Sequence, residues 1–160
     1  MRQEYEVNKA INEYANMLRK ICFVNLKNNH DVEDIFQEVF LKYAISDVEF
    51  NDSNHEKAWL IRVAINACKD LNKSFYKRKV GSIEDEIYEP FSLDENDRNV
   101  LEAIRKLPEK YKTVIYLFYY EGFTAVEIAK MMDNKENTVY TWLSRARKKI
   151  KNELGGDIVD

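Results

Sequence analysis

Apolar residues recur every three or four positions along most of the chain, which is the spacing of amphipathic α-helices. One such stretch covers residues 4–26, and a second starts near Asp31, which is its expected N-cap. A third helix is expected after a polar loop at 45–54, with Ser53 or Asn54 as its cap. Only 4 glycines and 2 prolines interrupt the chain, so few turns are expected. The pattern therefore predicts an all-α fold.

The second helical stretch has an apolar face with an aromatic edge. Ile35, Val39 and Tyr43 share one face, and Phe36 and Phe40 lie beside them, one turn apart and bordered by acids. Two phenylalanines in this position are typical of a buried core, and they are also typical of an exposed docking ridge. The composition favours the core, and the pattern alone leaves both interpretations open.

A helix-turn-helix is predicted within residues 107–151. Thr124 followed by Glu127 forms a capping box, in which each side chain satisfies a backbone N–H at the start of a helix. Gly122 lies just ahead of it and ends the preceding helix. The Asp-Asn pair at 133–134 supplies a turn, after which the helical pattern restarts.

The last predicted helix, residues 136–151, has an apolar stripe and an opposite polar face. Its stripe consists of Val139, Leu143, Ala146 and Ile150. Helix-turn-helix proteins present the first turns of this helix to base edges, so Asn137, Thr138 and Thr141 are the predicted base contacts. The other duplex-binding candidates, of which the last three are expected to meet phosphates, are Lys135, Ser144, Arg145, Arg147 and Lys148.

Charge is distributed unevenly along the chain. The formal net charge is −3 and the pI about 5.6, an acidic balance for a protein that would bind DNA unaided. Two strongly basic segments, 57–79 and 135–151, flank a run that contains acids and no base. We therefore expect two small helical domains, 1–79 and 97–160, joined by an acidic linker at 80–96. Each domain is expected to make one nucleic-acid contact.

The basic residues of the third helix fall on the side opposite its apolar residues. A nearly single-signed face of amines, interleaved with amides, suits an unpaired nucleic-acid strand, because amines hold phosphates while bases are stacked or captured. The residues predicted to bind such a strand are Arg62, Asn66, Lys69, Lys73 and Lys77.

The remaining chemistry of the sequence is sparse. Cys22 and Cys68 each fall on an apolar helical stripe and make no metal-like pair, which indicates buried, reduced thiols in a reducing cytoplasm. No apolar run approaches the length of a membrane span, and the first residues contain no signal-peptide core. We expect no metal, no cofactor and no membrane insertion of the chain itself.

Three sequence motifs follow one another along the chain. The first, D-x-x-Q-E-V-F, is present at Asp34, Gln37, Glu38, Val39 and Phe40. The second, W-L-x-x-x-A-x-N, is present at Trp59, Leu60, Ala64 and Asn66. The third consists of Leu107-Pro108 and the SRAR sequence at 144–147. In this order they span nearly the whole chain and resemble the motifs of the extracytoplasmic-function group of alternative sigma factors of bacterial RNA polymerase.

The resemblance implies a promoter-specificity subunit without catalysis of its own, which directs promoter recognition, DNA melting and initiation at a particular regulon. It implies that Asp34, Gln37, Glu38 and Phe40 dock on a coiled coil of the polymerase clamp. The loop and basic helix that follow would capture the melted promoter strand, which adds Asn51 and Asn54 to the candidates for single-strand binding. The last helix would read upstream duplex DNA. The implied partners are core RNA polymerase, promoter DNA and an anti-sigma protein.

Two alternatives follow from the residues. One is an autonomous helix-turn-helix transcriptional regulator, which the acidic balance disfavours because such a chain has little nonspecific attraction to duplex DNA. The other is a metal-dependent nuclease that uses Asp31, Asp34 and Glu38, which share one side of a helix. Acids in a first helical turn ordinarily interact with the helix dipole, which disfavours the nuclease.

Overall fold

The computed structural model describes residues 1–78 and 95–154, with side chains for 1–74 and 96–153. Within these ranges the structure contains helices and no strand, which confirms the predicted all-α fold. The helices are α1 (Glu4–Asn25), α2 (Asn29–Ile45), α3 (Ser53–Arg78), α4 (Glu95–Arg105), α5 (Glu109–Tyr119), α6 (Ala125–Met131) and α7 (Glu136–Leu154).

The chain divides into two compact units, Met1–Ser92 and Leu93–Asp160. Most of the predicted linker, residues 80–94, lies outside the described residues. The last two residues of the predicted linker are helical in the structure, because α4 begins at Glu95. Acids near a helix start interact favourably with the helix dipole, so an acidic composition did not exclude helix at this position.

The first unit is built from α1, α2 and α3, each of which contacts the other two. Its core is formed by apolar side chains at helical spacing, and Leu18, Val39 and Leu60 each have 0% of their surface exposed. The Asn72 side-chain amide donates a hydrogen bond of 3.0 Å to the Asn25 carbonyl, which joins α3 to the end of α1.

The predicted cap of α2 is wrong by one turn. The N-cap is Asn28, whose side-chain oxygen accepts a hydrogen bond of 2.8 Å from the Asp31 N–H. Asp31 lies inside the first turn, and its carboxylate accepts a hydrogen bond of 3.1 Å from the Asn28 amide. The reciprocal pair resembles a capping box, with an amide as the cap and a carboxylate three residues later.

Cys22 and Cys68 are free thiols and are buried, as predicted. No sequence pattern indicated that they meet, yet they lie side by side where α1 packs on α3. A hydrogen bond between the two thiols and their burial raise the pKa of Cys22. A thiol that stays protonated is a poor nucleophile and metal ligand, so the two cysteines act as small apolar core residues.

The second unit contains α4 to α7, and α5 and α7 contact each other most extensively. Pro108 is the N-cap residue of α5, a position where its missing N–H removes no hydrogen bond from the helix. Leu101, Val114 and Ile128, from three of its helices, are fully buried. This core supports the helix-turn-helix formed by α6 and α7.

Candidate nucleic-acid and polymerase interfaces

The capping box at the start of α6 is present as predicted. The Thr124 hydroxyl accepts a hydrogen bond of 3.1 Å from the Glu127 N–H, and the Glu127 carboxylate accepts one of 3.0 Å from the Thr124 N–H. Gly122, just before this cap, has a φ of +72°. Glycine adopts this left-handed conformation without strain, which explains its place in the sharp turn after α5.

The turn between α6 and α7 is closed by a Schellman motif. The Asn134 N–H donates to the Ala129 carbonyl at 2.9 Å, and the Asp133 N–H donates to the Lys130 carbonyl at 3.4 Å. Asp133 takes the left-handed position with a φ of 53°, which aspartate tolerates better than most residues. The turn therefore fixes where α7 starts relative to α6.

The apolar stripe of α7 is buried as predicted. Val139, Leu143, Ala146 and Ile150 are each at most 2% exposed. On the opposite side, the predicted duplex-binding side chains are exposed, except that Thr138 and Arg147 are half-buried; the exposed residues are Lys135, Asn137, Thr141, Ser144, Arg145 and Lys148. One surface of α7 is thus available for a groove of DNA.

Two residues in the first turns of α7, Asn137 and Thr141, differ in the hydrogen-bonding groups that they leave free. The Thr141 hydroxyl donates a hydrogen bond of 3.0 Å to the Asn137 carbonyl, so its proton is already used within the helix. The Asn137 side-chain amide is exposed and makes no hydrogen bond to the described part of the chain. Asn137 therefore offers both a donor and an acceptor to a base edge.

Arg147 lies on a flank of α7 that faces α5. Its Nε donates a hydrogen bond of 2.7 Å to the Tyr119 hydroxyl, and its guanidinium lies 5.4 Å from the Phe118 ring centre. The expectation that Arg147 belongs with the phosphate-binding residues did not foresee this anchor. A helical-wheel position shows the face of a residue, but not the partner on another helix.

Arg145 also contacts α5. A hydrogen bond from the Arg145 side chain to the Tyr111 hydroxyl lowers the pKa of Tyr111, because the positive charge favours the phenolate form. Arg145 stays exposed, unlike Arg147, and so keeps donors for a phosphate.

The basic face predicted on α3 is present as a continuous row. The exposed side chains Arg62, Asn66, Lys69 and Lys73 follow one another at intervals of four, three and four residues. Lys77 continues the row along α3, but its side chain lies outside the described residues. The row is directed to solvent on the side opposite Leu60, Ala64 and Cys68.

The α2–α3 loop, residues 46–52, leads into this basic helix. Its predicted cap is wrong by one residue, since the Asp52 carboxylate accepts a hydrogen bond of 2.8 Å from the His55 N–H. The His55 Nδ1 in turn accepts a hydrogen bond of 3.1 Å from the Asn51 N–H. Both predicted amides, Asn51 and Asn54, are exposed at this start of α3.

Sequence reasoning missed Phe50, the aromatic residue of the α2–α3 loop. Its ring stacks on Tyr43 at a centroid distance of 6.2 Å, and it meets the edges of Trp59 at 5.8 Å and of His55 at 5.1 Å. A phenylalanine in an otherwise polar loop was the available signal. This aromatic cluster ties the loop to α2 and α3.

The outer face of α2 combines acids with apolar side chains. The predicted polymerase-binding residues Asp34, Gln37 and Glu38 are exposed. Leu41 and Ile45, which the sequence analysis did not include, continue the same stripe with exposed fractions of 63% and 59%. Single exposed apolar residues are common, but two on one stripe indicate a contact surface.

Phe40 does not project from this face. It is only 5% exposed and packs against Phe36 at a centroid distance of 5.0 Å. The Arg19 guanidinium covers the other aromatic ring, 3.9 Å from the Phe36 centre. The expectation of an exposed phenylalanine ridge is therefore wrong, because Phe40 supports α2 from the core side.

Nothing in the described ranges supports a metal site. Neither 1–78 nor 95–154 contains a group of three or more His, Cys, Asp or Glu side chains that could hold a metal ion. Of the residues in the nuclease alternative, Asp31 is tied to Asn28, while Asp34 and Glu38 pair with His30 and Lys42. No helix in the described ranges is long and apolar enough to cross a bilayer.

The structure contains a helix-turn-helix unit and a second helical unit with its own basic face. This combination is typical of a DNA-binding protein that acts in transcription. Two family models match the chain in this order. The model described as "Sigma-70 region 2" matches residues 10–79, and the one described as "Sigma-70, region 4" matches residues 97–150.

Curated relatives match over most of their length. RNA polymerase sigma factor SigV of Bacillus subtilis is 30% identical over 91% of this chain and 89% of its own. ECF RNA polymerase sigma factor SigW of Bacillus subtilis is 27% identical over 88% and 84%. The ECF RNA polymerase sigma-E factor of Escherichia coli K12 is 30% identical over 78% and 74%.

Solved structures show the same fold. The sigma factor RpoE of Bartonella quintana, solved with the anti-sigma factor NepR, is 20% identical and has a TM-score of 0.73 over 95% of this chain and 98% of that one. CnrH, solved with the cytosolic domain of CnrY, is 20% identical and has a TM-score of 0.66 over 97% and 91%.

The chain belongs to the extracytoplasmic-function group of RNA polymerase sigma factors. It is a sigma factor, the polymerase subunit that directs promoter recognition, promoter melting and transcription initiation. The family consists of transcription initiation factors and not of enzymes. The alternative of an autonomous transcriptional regulator has no support from these comparisons.

Proposed function

We propose that the two units divide the work of a sigma factor among three surfaces. The outer face of α2 docks on core RNA polymerase, the α2–α3 loop with the basic row of α3 captures the melted strand, and α7 reads the upstream duplex. The observation that carries this proposal is the contrast within the first unit. On the same three helices, α2 presents acids and apolar side chains, whereas α3 presents amines and amides.

The outer face of α2 suits a protein partner. Its carboxylates repel DNA phosphates, and Leu41 and Ile45 gain from leaving water. Asp34, Gln37 and Glu38 border these side chains and supply the polar rim that protein interfaces have. A helical partner with basic residues around an apolar centre fits this face, as expected for a coiled coil of the polymerase clamp.

The basic row of α3 suits a single strand. Arg62, Lys69 and Lys73 are spaced to follow a phosphate backbone, and the amides of Asn51, Asn54 and Asn66 offer hydrogen bonds to bases that have left the stack. From Lys57 to the end of this helix, Asp70 is the one acid. Unpaired bases held near the loop stabilise the melted promoter.

The polar face of α7 suits the major groove of a duplex. Asn137, with its free amide at the first turn, is the strongest candidate for a base contact, because asparagine pairs with adenine through two hydrogen bonds. Lys135, Arg145 and Lys148 are expected to hold phosphates. Arg147 contributes by keeping α7 seated on α5 through Tyr119.

We also propose that the chain has no catalytic activity, acts in the cytoplasm, and is restrained by an anti-sigma protein. The structures of the similar proteins RpoE and CnrH were solved in complex with the anti-sigma factor NepR and with the cytosolic domain of CnrY. An anti-sigma protein that covers Leu41 and Ile45 would remove exposed apolar surface and block polymerase at once.

Transcription in vitro with core polymerase and a library of promoter fragments tests the proposal. The purified chain should direct initiation from a subset of fragments, and Leu41→Glu should abolish this initiation by preventing assembly with core polymerase. Asn16→Glu is a control that introduces the same charge, since Asn16 is exposed on α1 and lies outside the proposed surfaces. Equal core binding by Leu41→Glu and the unmodified chain would overturn the docking assignment.

A further inference from the structure

Arg2 is a charged residue outside every motif and ahead of the family match, which begins at residue 10. Its side chain is nevertheless only 13% exposed. Burial of a guanidinium in this way requires hydrogen-bond partners that replace its water. The partners of Arg2 come from the end of α2 and from the α2–α3 loop.

The Arg2 contacts join two points of the chain more than forty residues away. Its Nε donates a hydrogen bond of 3.0 Å to the Tyr43 carbonyl, and a terminal guanidinium nitrogen donates to the Val48 carbonyl. The Arg2 backbone N–H donates to the Ala44 carbonyl at 2.8 Å. The guanidinium therefore clamps the last turn of α2 to the middle of the loop.

The same guanidinium covers the aromatic side of the loop. It lies 4.5 Å from the centre of the Tyr43 ring and 5.0 Å from that of Phe50. The Phe50 and Tyr43 rings are nearly parallel, at 3°. Arg2 thus fixes the backbone of the loop through Val48 and its aromatic side chain through cation–π contact.

Two physical features make arginine suited to this position. The carbonyls at the C-terminus of α2 carry the negative end of the helix dipole, which a cation stabilises. The planar guanidinium reaches two carbonyls at once, whereas a lysine ammonium is a single point charge. Glu6, 3.9 Å away, helps to orient the guanidinium.

We propose that Arg2 is a positioning residue that holds the α2–α3 loop in the shape required to choose a base of the melted strand. The inference rests on the proposed role of the loop in capturing that strand. Arg2 itself contacts neither base nor phosphate; it acts through Val48 and Phe50. The first residues of the chain thereby take part in promoter specificity.

The test measures how the polymerase holoenzyme discriminates among the four bases at each position of a pre-melted downstream element. Arg2→Ala should reduce discrimination at the captured base by about tenfold, the size expected when charge-assisted hydrogen bonds no longer hold a loop. Arg2→Lys should retain part of the base discrimination, because the positive charge remains. It should not retain all of it, because an ammonium cannot reach two carbonyls as the guanidinium does. Core affinity and upstream duplex binding should not change.

Lys9→Ala is the matched control. Lys9 and Arg2 line the same cavity of about 690 Å³ beside Phe50, so the control removes one positive charge there and leaves the loop contacts in place. It should retain full discrimination. A loss equal to that of Arg2→Ala would show that charge in the cavity matters and that the clamp does not.

Further outcomes separate this inference from the proposed function. If Phe50→Ala abolishes base discrimination and Arg2→Ala leaves it intact, the Arg2 inference is wrong and the loop assignment stands. If neither variant alters discrimination, the loop assignment itself fails. If Arg2→Ala weakens the binding of all four bases equally and lowers the melting temperature of the protein, Arg2 is a general stabilising residue and not a positioning residue. If Arg2→Ala does not fold, Arg2→Lys is judged by the same comparison.

Discussion

The two proposed DNA-binding surfaces hold their shapes in different ways. In the second unit, the polar face belongs to a single helix, α7, whose opposite stripe is buried along its length. In the first unit, the α2–α3 loop makes one short-range hydrogen bond of its own, from the Val48 N–H to the Ser46 hydroxyl at 3.1 Å. Hydrogen bonds of Asn51 and Asp52 with His55 tie its end to α3, and Arg2 and the aromatic cluster around Phe50 support its middle.

This difference matches the two forms of DNA that a sigma factor meets. A duplex presents a regular groove, and a preformed helix enters it with little rearrangement. A melted strand is flexible, and a loop with exposed amides can surround a base that has left the stack. The helical surface is therefore expected to depend on its core, and the loop surface on distant contacts.

The largest expected effect is the destabilisation of the second unit when a cavity is made in its core. Leu143→Ala should lower its free energy of unfolding by about 3 kcal/mol, because a buried leucine leaves a cavity. Upstream duplex binding should be lost, while binding to pre-melted DNA is retained. Hydrogen exchange resolves the two units separately. Tyr140→Ala, at a side chain 56% exposed on the same helix, is the control.

If Leu143→Ala weakened binding to pre-melted DNA as strongly as binding to the duplex, the two surfaces would not be independent. The contrast between a helix supported by the core of the second unit and a loop supported by distant contacts within the first unit would then be wrong.

The second prediction concerns Tyr43, whose ring stacks on Phe50 of the loop, and the stability of the first unit at high pH. Burial, followed by a hydrogen bond of 2.7 Å to the Glu56 carboxylate, raises the pKa of Tyr43 to about 12. In the unfolded chain the hydroxyl loses its proton near pH 10. The stabilisation is therefore complete below pH 10 and is lost as pH rises from about 10 to about 12.

Tyr43→Phe should remove this part of the pH dependence, which is at most about 3 kcal/mol across the window. Urea unfolding of the first unit at a series of pH values measures it. Some slope should persist in the variant, because burial also raises the pKa of Tyr14. An unchanged slope in Tyr43→Phe would contradict the assignment to Tyr43.

A third prediction separates base reading from phosphate binding on α7. Asn137→Ala should relax the preference at one upstream base by about 1.5 kcal/mol, because its amide is free to pair with a base edge. Lys148→Ala should weaken binding to all sequences alike and flatten the salt dependence. Binding to promoter duplex variants by the holoenzyme, at several salt concentrations, distinguishes the two. Identical behaviour would refute the division.

The features that could be predicted from the sequence are those formed by residues that are close together in it. The capping box, the turn after α6 and the buried stripe of α7 each involve residues within a few positions of one another, so sequence periodicity was sufficient. The loop could not be predicted in the same way. Its support by Arg2 joins residues 46 positions apart, and no local pattern encodes such a contact.

On α2, the expectation of an exposed Phe40 was wrong, whereas Asp34, Gln37 and Glu38 are exposed. Composition favoured a buried Phe40, and the resemblance to a docking motif then assigned it to the polymerase-binding surface. The structure returns it to the core and exposes Leu41 instead. A motif shows that a helix has a role, whereas the direction of each side chain depends on the helices packed against it. The contact of Cys22 with Cys68 was missed for the same reason.

The smallest expected effect lies in the turn that places α7. Asp133 holds a φ of 53°, which costs a non-glycine residue some conformational energy. Asp133→Gly should relieve it and stabilise the second unit by about 0.5 kcal/mol, since the greater entropy loss of glycine offsets part of the gain. Thermal unfolding measures the change. Asp133→Ala should destabilise, because alanine keeps the β-carbon and lacks the polar group.

Asp133 is also an exposed acid at the turn before the DNA-facing helix, so its removal should strengthen duplex binding through charge. Asp133→Asn separates the two effects, because asparagine tolerates the left-handed conformation and carries no charge. If Asp133→Asn and Asp133→Gly strengthen DNA binding equally and only Asp133→Gly raises stability, the turn sets the position of α7 through backbone geometry alone. Equal stabilisation by both variants would instead assign the strain to the carboxylate.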